Sequence, residues 1–88
     1  MSDFDTQARK VAAEQLKRPW ARRNRLESWE VFEQASVEAS DYCSRFLDMG
    51  DDDLARLYAR AAAMLRDRKD RMLNARFIAR LAQTKEPA

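Results

Sequence analysis

Histidine is absent from this chain, and cysteine and glycine occur once each, as Cys43 and Gly50. Without histidine, the usual Ser–His and Cys–His pairs of nucleophilic catalysis cannot form, and the commonest neutral metal ligand is missing. One cysteine cannot form an internal disulfide or a Cys-based zinc site. One glycine cannot build a glycine-rich phosphate loop. We therefore expect a protein that is not an enzyme, with no catalytic residue, metal, cofactor or small-molecule substrate.

Long hydrophobic runs and a strong excess of one charge are also missing. The 88 residues include 17 basic and 15 acidic side chains, for a net charge of +2. This balance alone does not indicate a nucleic-acid-binding protein. No apolar run approaches the length of a membrane span, and the N-terminus has no basic-then-apolar signal pattern. The sequence predicts a cytoplasmic protein with no membrane association, in which Cys43 stays reduced.

The composition that remains is helical. Proline and glycine are scarce, whereas Ala, Leu, Arg and Glu are abundant, which is typical of α-helices. The length suits a single domain covering 1–88. The apolar periodicity predicts an all-α, three-helix-bundle-like fold: a helical hairpin of two long antiparallel helices plus a short N-terminal helix. The predicted elements are a first helix at about 3–18, a second at about 20–49, a third at about 51–83 and a tail at 84–88.

A glycine followed by three aspartates separates the two long helical patterns. Gly50 suits the left-handed position just past a helix end. Asp51, Asp52 and Asp53 suit the next helix start, where carboxylates cap free N–H groups and oppose the helix dipole. A Ca²⁺ or Mg²⁺ site is the alternative, but the spaced ligands of a calcium loop are absent. We interpret this stretch as the hinge of the hairpin.

Both long helices carry a predicted core face. The face of the second helix comprises Phe32, Ala35, Ala39, Tyr42, Cys43 and Phe46. Small side chains at positions 35, 36, 39 and 40 predict close approach of a neighbouring helix. The face of the third helix comprises Leu54, Leu57, Tyr58, Ala61, Met64, Leu65, Met72 and Ala75. Arg56 and Arg60 form a like-charge i,i+4 pair, which is best tolerated if acidic groups of a neighbour lie opposite.

Past Met72 the apolar pattern changes side. Leu73, Phe77 and Leu81 form an i, i+4, i+8 row nearly opposite the first stripe, with Ile78 beside it. Either the first helix folds back and covers this row, or a partner or a second copy of the chain occupies it. The pattern does not choose between them.

Basic residues concentrate in two segments. The first surrounds Pro19 and Trp20, and three interpretations remain open: a solvated helix junction, a grip on nucleic acid by arginines interleaved with an aromatic ring, or a protein-docking surface. The second segment, 66–80, is interrupted by Asp67 and Asp70, which favours a salt-bridged solvated face. The candidate nucleic-acid-binding residues are Lys17, Arg18, Arg22, Arg23, Arg25, Arg66, Lys69 and Arg71.

Two limited resemblances accompany these patterns. The segment from Asp53 to Ala62, with the sequence DLARLYARAA, resembles a helix of the small Hha-type nucleoid modulators over about ten residues. The two-helix architecture with a short acidic turn is similar to the plasmid-type RNA-binding hairpins, without a shared motif. No function is carried over from either resemblance.

The function that these features favour is non-enzymatic. We expect a small adaptor or inhibitor that binds a larger protein or a second copy of itself, in the style of proteins encoded by phages and other mobile elements. The alternative is a nucleic-acid-binding regulator that uses the segments 17–25 and 66–80. The candidate partner-binding residues are Trp20, Arg22, Arg23, Arg25, Phe77, Ile78, Arg80 and Leu81.

Overall fold

A computed structural model describes residues 3–17 and 28–84, and within these ranges the chain forms three α-helices and no strand. Helix α1 spans Asp3–Leu16, α2 spans Ser28–Asp48 and α3 spans Asp52–Thr84. The predicted all-α, three-helix-bundle-like fold is confirmed.

The helix bounds differ slightly from the predicted ones. Helix α1 ends two residues earlier than expected, and Lys17 forms a turn in which its N–H donates to the carbonyl of Glu14 at 3.1 Å. Helix α3 includes Thr84, which was assigned to the tail. The predicted start of the second helix near residue 20 lies outside the described residues, as do tail residues 85–88.

The hinge between α2 and α3 follows from Gly50. This glycine has a φ of +79°, the left-handed conformation that a side chain disfavours. Its N–H donates to the carbonyl of Leu47 at 3.0 Å, and the N–H of Asp51 donates to the carbonyl of Phe46 at 2.8 Å. This pair of bonds is a Schellman motif, which satisfies carbonyls that the end of α2 leaves without helical partners.

Asp51 also begins the next helix. Its side-chain Oδ1 accepts a hydrogen bond from the N–H of Leu54 at 3.1 Å, and its backbone carbonyl accepts from the N–H of Ala55 at 3.0 Å. Asp51 is therefore the N-cap of α3, while Asp52 and Asp53 occupy the first turn. The capping interpretation of the three aspartates is confirmed. One residue ends the termination motif of α2 and begins α3, so the turn is very short.

The contact between α2 and α3 is built from small side chains. Ala35, Ser36 and Ala39 of α2 are buried, and the central cluster joins Ala35 and Ala39 to Ala62 and Leu65 of α3. Without larger groups between them, the two backbones can approach closely. The hydroxyl of Ser36 is satisfied locally, because it donates to the carbonyl of Glu33 at 2.7 Å.

Aromatic rings extend this core toward the hinge. The Tyr58 ring lies 5.4 Å from Tyr42 and 5.2 Å from Phe46, measured between ring centroids. These distances fall in the range favoured by aromatic pairs. The three rings join α2 to α3 where the alanine contacts end.

Helix α1 lies along the first half of α3. The Nε of Arg60 donates to Oδ1 of Asp5 at 3.2 Å, and Ala12 and Leu16 pack against the central cluster further along. The two helices therefore run in the same direction. Asp5 supplies the acidic neighbour that the Arg56–Arg60 pair was expected to need.

Some predicted core positions differ from the observed ones. Ala55 and Ala62 are buried although the predicted stripe omitted them, whereas Leu54 and Ala75 are exposed. The reason is that α3 packs on two helices at once. The side of α3 that is buried is therefore rotated about the helix axis relative to the side that carries its large apolar residues. Cys43 is half-buried rather than buried.

The long helices differ greatly in length. Helix α3 has 33 residues and α2 has 21, or about 50 Å and 31 Å at the usual helical rise. Lys69 Nζ lies 3.6 Å from Glu33 Oε1, so in an antiparallel pair Ser28 lies level with about residue 74. The Cα radius of gyration of 16.1 Å exceeds the about 12 Å of a compact chain of this length, because a helix as long as α3 makes the molecule elongated.

Gln15 is an unusual component of the core. It is only 1% exposed, and its Oε1 has no hydrogen-bond partner among the described residues. A buried amide oxygen without a partner lowers the free energy of unfolding, because its hydration is lost without replacement.

Replacing Asp51 with Ala is expected to lower the free energy of unfolding by about 1 kcal/mol, because α3 loses its N-cap. Urea denaturation measures this loss. The matched control is Asp52→Ala, which removes a first-turn carboxylate without removing the cap and should cost only a few tenths of a kcal/mol. Equal losses in the two variants would contradict the assigned cap.

Replacing Gln15 with Met is expected to raise the free energy of unfolding by about 1 kcal/mol, because a side chain of similar volume removes the unpaired oxygen. Gln15→Ala is the control for packing, and it should destabilise the protein by leaving a cavity. If Gln15→Met were the more destabilising change, the amide would have to hold a bond that compensates its burial.

Candidate protein-binding surface

Four large apolar side chains of α3 lie exposed near its C-terminal end. Leu73, Phe77, Ile78 and Leu81 are 37%, 59%, 61% and 50% exposed, respectively. Leu73, Phe77 and Leu81 follow one another at i, i+4 and i+8, which places them in one row along the helix, with Ile78 at its edge. We call these four residues the C-terminal apolar face.

The first helix does not cover this face. Helices α1 and α3 line two shared grooves, one with Phe4, Leu54 and Leu57, and one that extends along α3 to Arg71. Neither groove includes a residue of the C-terminal apolar face. The possibility that the first helix folds back over the row is therefore wrong. The reason lies in the direction of α1, which begins near the start of α3 and is too short to reach its end.

Helix α2 also leaves the face exposed. It pairs with α3 as far as about residue 74, on the side of the buried residues Ala62 and Leu65. Leu73 lies on nearly the same side of α3 as Ala62, and Phe77 and Leu81 are rotated progressively away from it. Among the described helices, this rotation and the start of α2 at Ser28 leave the face exposed.

The charged residues that α3 itself places around this face are all basic. From Arg71 to Thr84 the chain contains three arginines and no acidic residue. Arg76 and Arg80 are exposed, and each follows an apolar residue of the row by three positions, as a neighbour on the helix surface. Arg80 therefore lies beside Phe77 and Leu81 on the surface of α3, and its role in partner binding stays a prediction.

Basic residues at the start of the segment 66–80 form ion pairs within the chain. Arg71 Nη2 lies 2.9 Å from Asp67 Oδ2, and Lys69 Nζ lies 3.6 Å from Glu33 Oε1 and 3.9 Å from Asp70 Oδ1. Lys69 is also mostly buried, with 18% of its side chain exposed. Two of the three candidate nucleic-acid-binding residues described in this segment are therefore already paired, and the third, Arg66, is exposed.

A groove between α1 and α3 concentrates further arginines. Its lining comprises Arg9, Ala12, Ala13, Leu16, Phe32, Arg60, Met64, Leu65, Asp67, Arg68 and Arg71. The guanidinium of Arg68 lies 6.0 Å from the centroid of the Phe32 ring, within cation–π range. Arg60 and Arg71 are paired with Asp5 and Asp67. Because these arginines form contacts within the protein, the groove by itself does not indicate an anion-binding site.

The other basic cluster is described only at its first residue. Lys17 Nζ lies 3.8 Å from Glu14 Oε1, and both side chains are largely exposed. Such a pair contributes little to stability. The candidate residues Arg18, Trp20, Arg22, Arg23 and Arg25 lie outside the described residues.

Two other kinds of feature, a metal site and a membrane span, are absent from the described residues. Within residues 3–17 and 28–84, no three acidic or cysteine side chains converge as metal ligands. None of the described helices is long and apolar enough to cross a membrane.

Phe77→Asp is expected to change the free energy of unfolding by no more than about 0.5 kcal/mol, as exposed positions usually do. The comparison is Leu65→Ala in the central cluster, which should cost about 2–5 kcal/mol. Thermal and urea denaturation of both variants test this contrast. A Phe77→Asp protein as unstable as the Leu65→Ala protein would place the apolar row in the core.

No protein-family model matches the chain, and no curated protein or solved structure matches it significantly.

Proposed function

We propose that this chain is a small non-enzymatic adaptor or inhibitor that acts in the cytoplasm by binding another protein through α3. The observation that carries the proposal is the C-terminal apolar face, which none of the described helices covers. Isolated apolar residues on a protein surface need no explanation. Four on one side of one helix form a patch of the kind that marks interaction sites.

The rigidity of the hairpin supports this function. The Schellman motif at Gly50 and the N-cap at Asp51 join α2 and α3 through a very short turn. The alanine contacts then hold the first half of α3 in place. A partner would therefore bind a helix that is already formed. Binding to such a preformed surface costs less conformational entropy than binding to a disordered segment.

The roles of adaptor and inhibitor both follow from the absence of chemistry in the sequence. A chain without histidine has no Ser–His or Cys–His pair, so its effect on a partner would come from occupying a surface. Whether that surface joins two proteins or blocks one depends on the partner. Trp20, Arg22, Arg23 and Arg25 stay in the proposal as sequence predictions.

A photo-crosslinking residue at position 77 is expected to join the chain to one other protein in its native cell. The matched control is position 37, where Val37 is 51% exposed on α2, away from the face. The purified partner should then bind the wild-type chain and the Val37→Asp variant, and should lose at least about tenfold in affinity for Phe77→Asp, as expected for a central apolar contact.

Three results would point elsewhere. Crosslinks of equal yield from positions 37 and 77 would mean that the face is not a specific surface. Crosslinks only between copies of the chain would replace the adaptor with a homodimer. Retention on RNA that collapses between low and moderate salt, without any protein crosslink, would favour the nucleic-acid alternative.

A further inference from the structure

We infer that α1 undocks from the hairpin of α2 and α3 as a unit, while the hairpin itself stays folded. The opening exposes the side of the hairpin that α1 covers, so the chain carries a detachable helix on one face of its core. This inference goes beyond the proposed function, because it concerns a second conformation of the chain and holds whichever protein binds the C-terminal apolar face. The burial of α1, its polar groups and the position of the hinge support it.

Helix α1 buries few of its side chains. Of its 14 residues, only Ala8 and Gln15 are buried, whereas Ala12 and Leu16 are partly exposed. Phe4, its largest apolar side chain, is 40% exposed. A helix of this length is marginal in water without tertiary contacts, and the apolar area that docks it is small. We therefore expect α1 to be held less firmly than α2 and α3 hold each other through the central cluster and the aromatic rings.

The polar contacts of α1 lie largely in water. Both side chains of the Asp5–Arg60 pair are more than one-third exposed, and ion pairs at such positions contribute little to stability. Asp5, Thr6 and Arg9 take part in further interactions. Thr6 and Arg9 are exposed, so water competes for their polar groups as well. These contacts orient α1 on α3 more than they hold it there.

Gln15 opposes the docking of α1. It is 1% exposed, and its Oε1 accepts no hydrogen bond among the described residues. Docking therefore removes the hydration of an amide oxygen without replacing it. When α1 undocks, water hydrates that oxygen again. The atom that lowers the stability of the closed molecule thus favours the open one.

The surface beneath α1 explains why the closed form is the major one. The grooves that α1 shares with the hairpin include the apolar side chains of Phe32, Leu57, Met64 and Leu65. Undocking exposes more of this surface to water, which costs free energy in proportion to the apolar area. The open form is therefore a minor population.

The hinge of the hairpin does not depend on α1. The Schellman motif at Gly50 and the N-cap at Asp51 use only backbone and side-chain atoms of residues 45–55. The central cluster consists of residues of α2 and α3, and Ala12 and Leu16 of α1 pack against it from outside. Loss of α1 therefore leaves these contacts in place, as the opening of one cooperative unit requires.

Native-state hydrogen exchange of the full chain tests the inference. Amides in the middle of α1, such as those of Ala8 and Ala12, are expected to exchange at least about tenfold faster than those of Ala39 and Ala62, each relative to its rate in an unstructured chain. Exchange in α1 should also depend less steeply on urea, because undocking exposes less surface than global unfolding. Equal protection and equal urea dependence in α1 and the hairpin would overturn the inference.

A variant in α2 separates undocking from global unfolding. Gln34 is exposed in the middle of α2, so Gln34→Gly weakens that helix without changing a buried side chain. The amides of Ala39 and Ala62 should exchange about threefold faster in this variant, whereas the α1 amides should keep their wild-type rates. Acceleration by the same factor in α1 would mean that α1 opens only when the whole molecule unfolds.

A variant in α1 separates undocking from fraying of the helix end. Gln15→Met removes the unpaired oxygen, and it should slow exchange about fivefold throughout α1, including at Ala8 nearly two turns away. The matched control is Glu14→Met at the exposed neighbouring position, which should leave these rates almost unchanged. Slowing that is confined to the last turn of α1, or no slowing at all, would contradict undocking as a unit.

Discussion

Close contact between two helices through small side chains is the constraint on which this structure depends. Ala35 and Ala39 of α2 meet Ala62 and Leu65 of α3. Alanine buries little area, so each contact contributes less hydrophobic free energy than a leucine pair would. The compensation is close packing along the seam, where many weak dispersion contacts add up. Helix α1 adds further side chains to this small core, and one of them is the buried Gln15.

The same seam explains why the end of α3 remains exposed. Helix α2 reaches only to about residue 74 of α3, and α1 stops earlier still. Beyond those contacts, nothing among the described helices favours apolar residues on the side of Ala62 and Leu65. Leu73, Phe77 and Leu81 are rotated progressively away from that side. This change of face coincides with the end of the contacts that the described helices supply.

The sequence predicted features that local chemistry determines. The hinge could be predicted from Gly50 and Asp51, because few amino-acid types suit a left-handed backbone position or a helix N-cap. The change of apolar side past Met72 followed from periodicity alone. Burial of Ala55 and Ala62 was missed, since it depends on where α1 lies as well as α2, and alanine gives little periodic signal. The direction of α1 depends on contacts such as Asp5–Arg60, whose partners are 55 residues apart.

The composition of the last part of α3 favours a helix. A short isolated helix is marginal in water, and Arg71–Thr84 is helical to its end. This part of α3 contains alanine, arginine and leucine, which favour helix, and its only β-branched residues are Ile78 and Thr84. Intrinsic propensity thus replaces some of the packing that the seam provides elsewhere. The large side chains left exposed do not contribute to that propensity beyond what alanine would. In the proposed function, these side chains serve the contact with another protein.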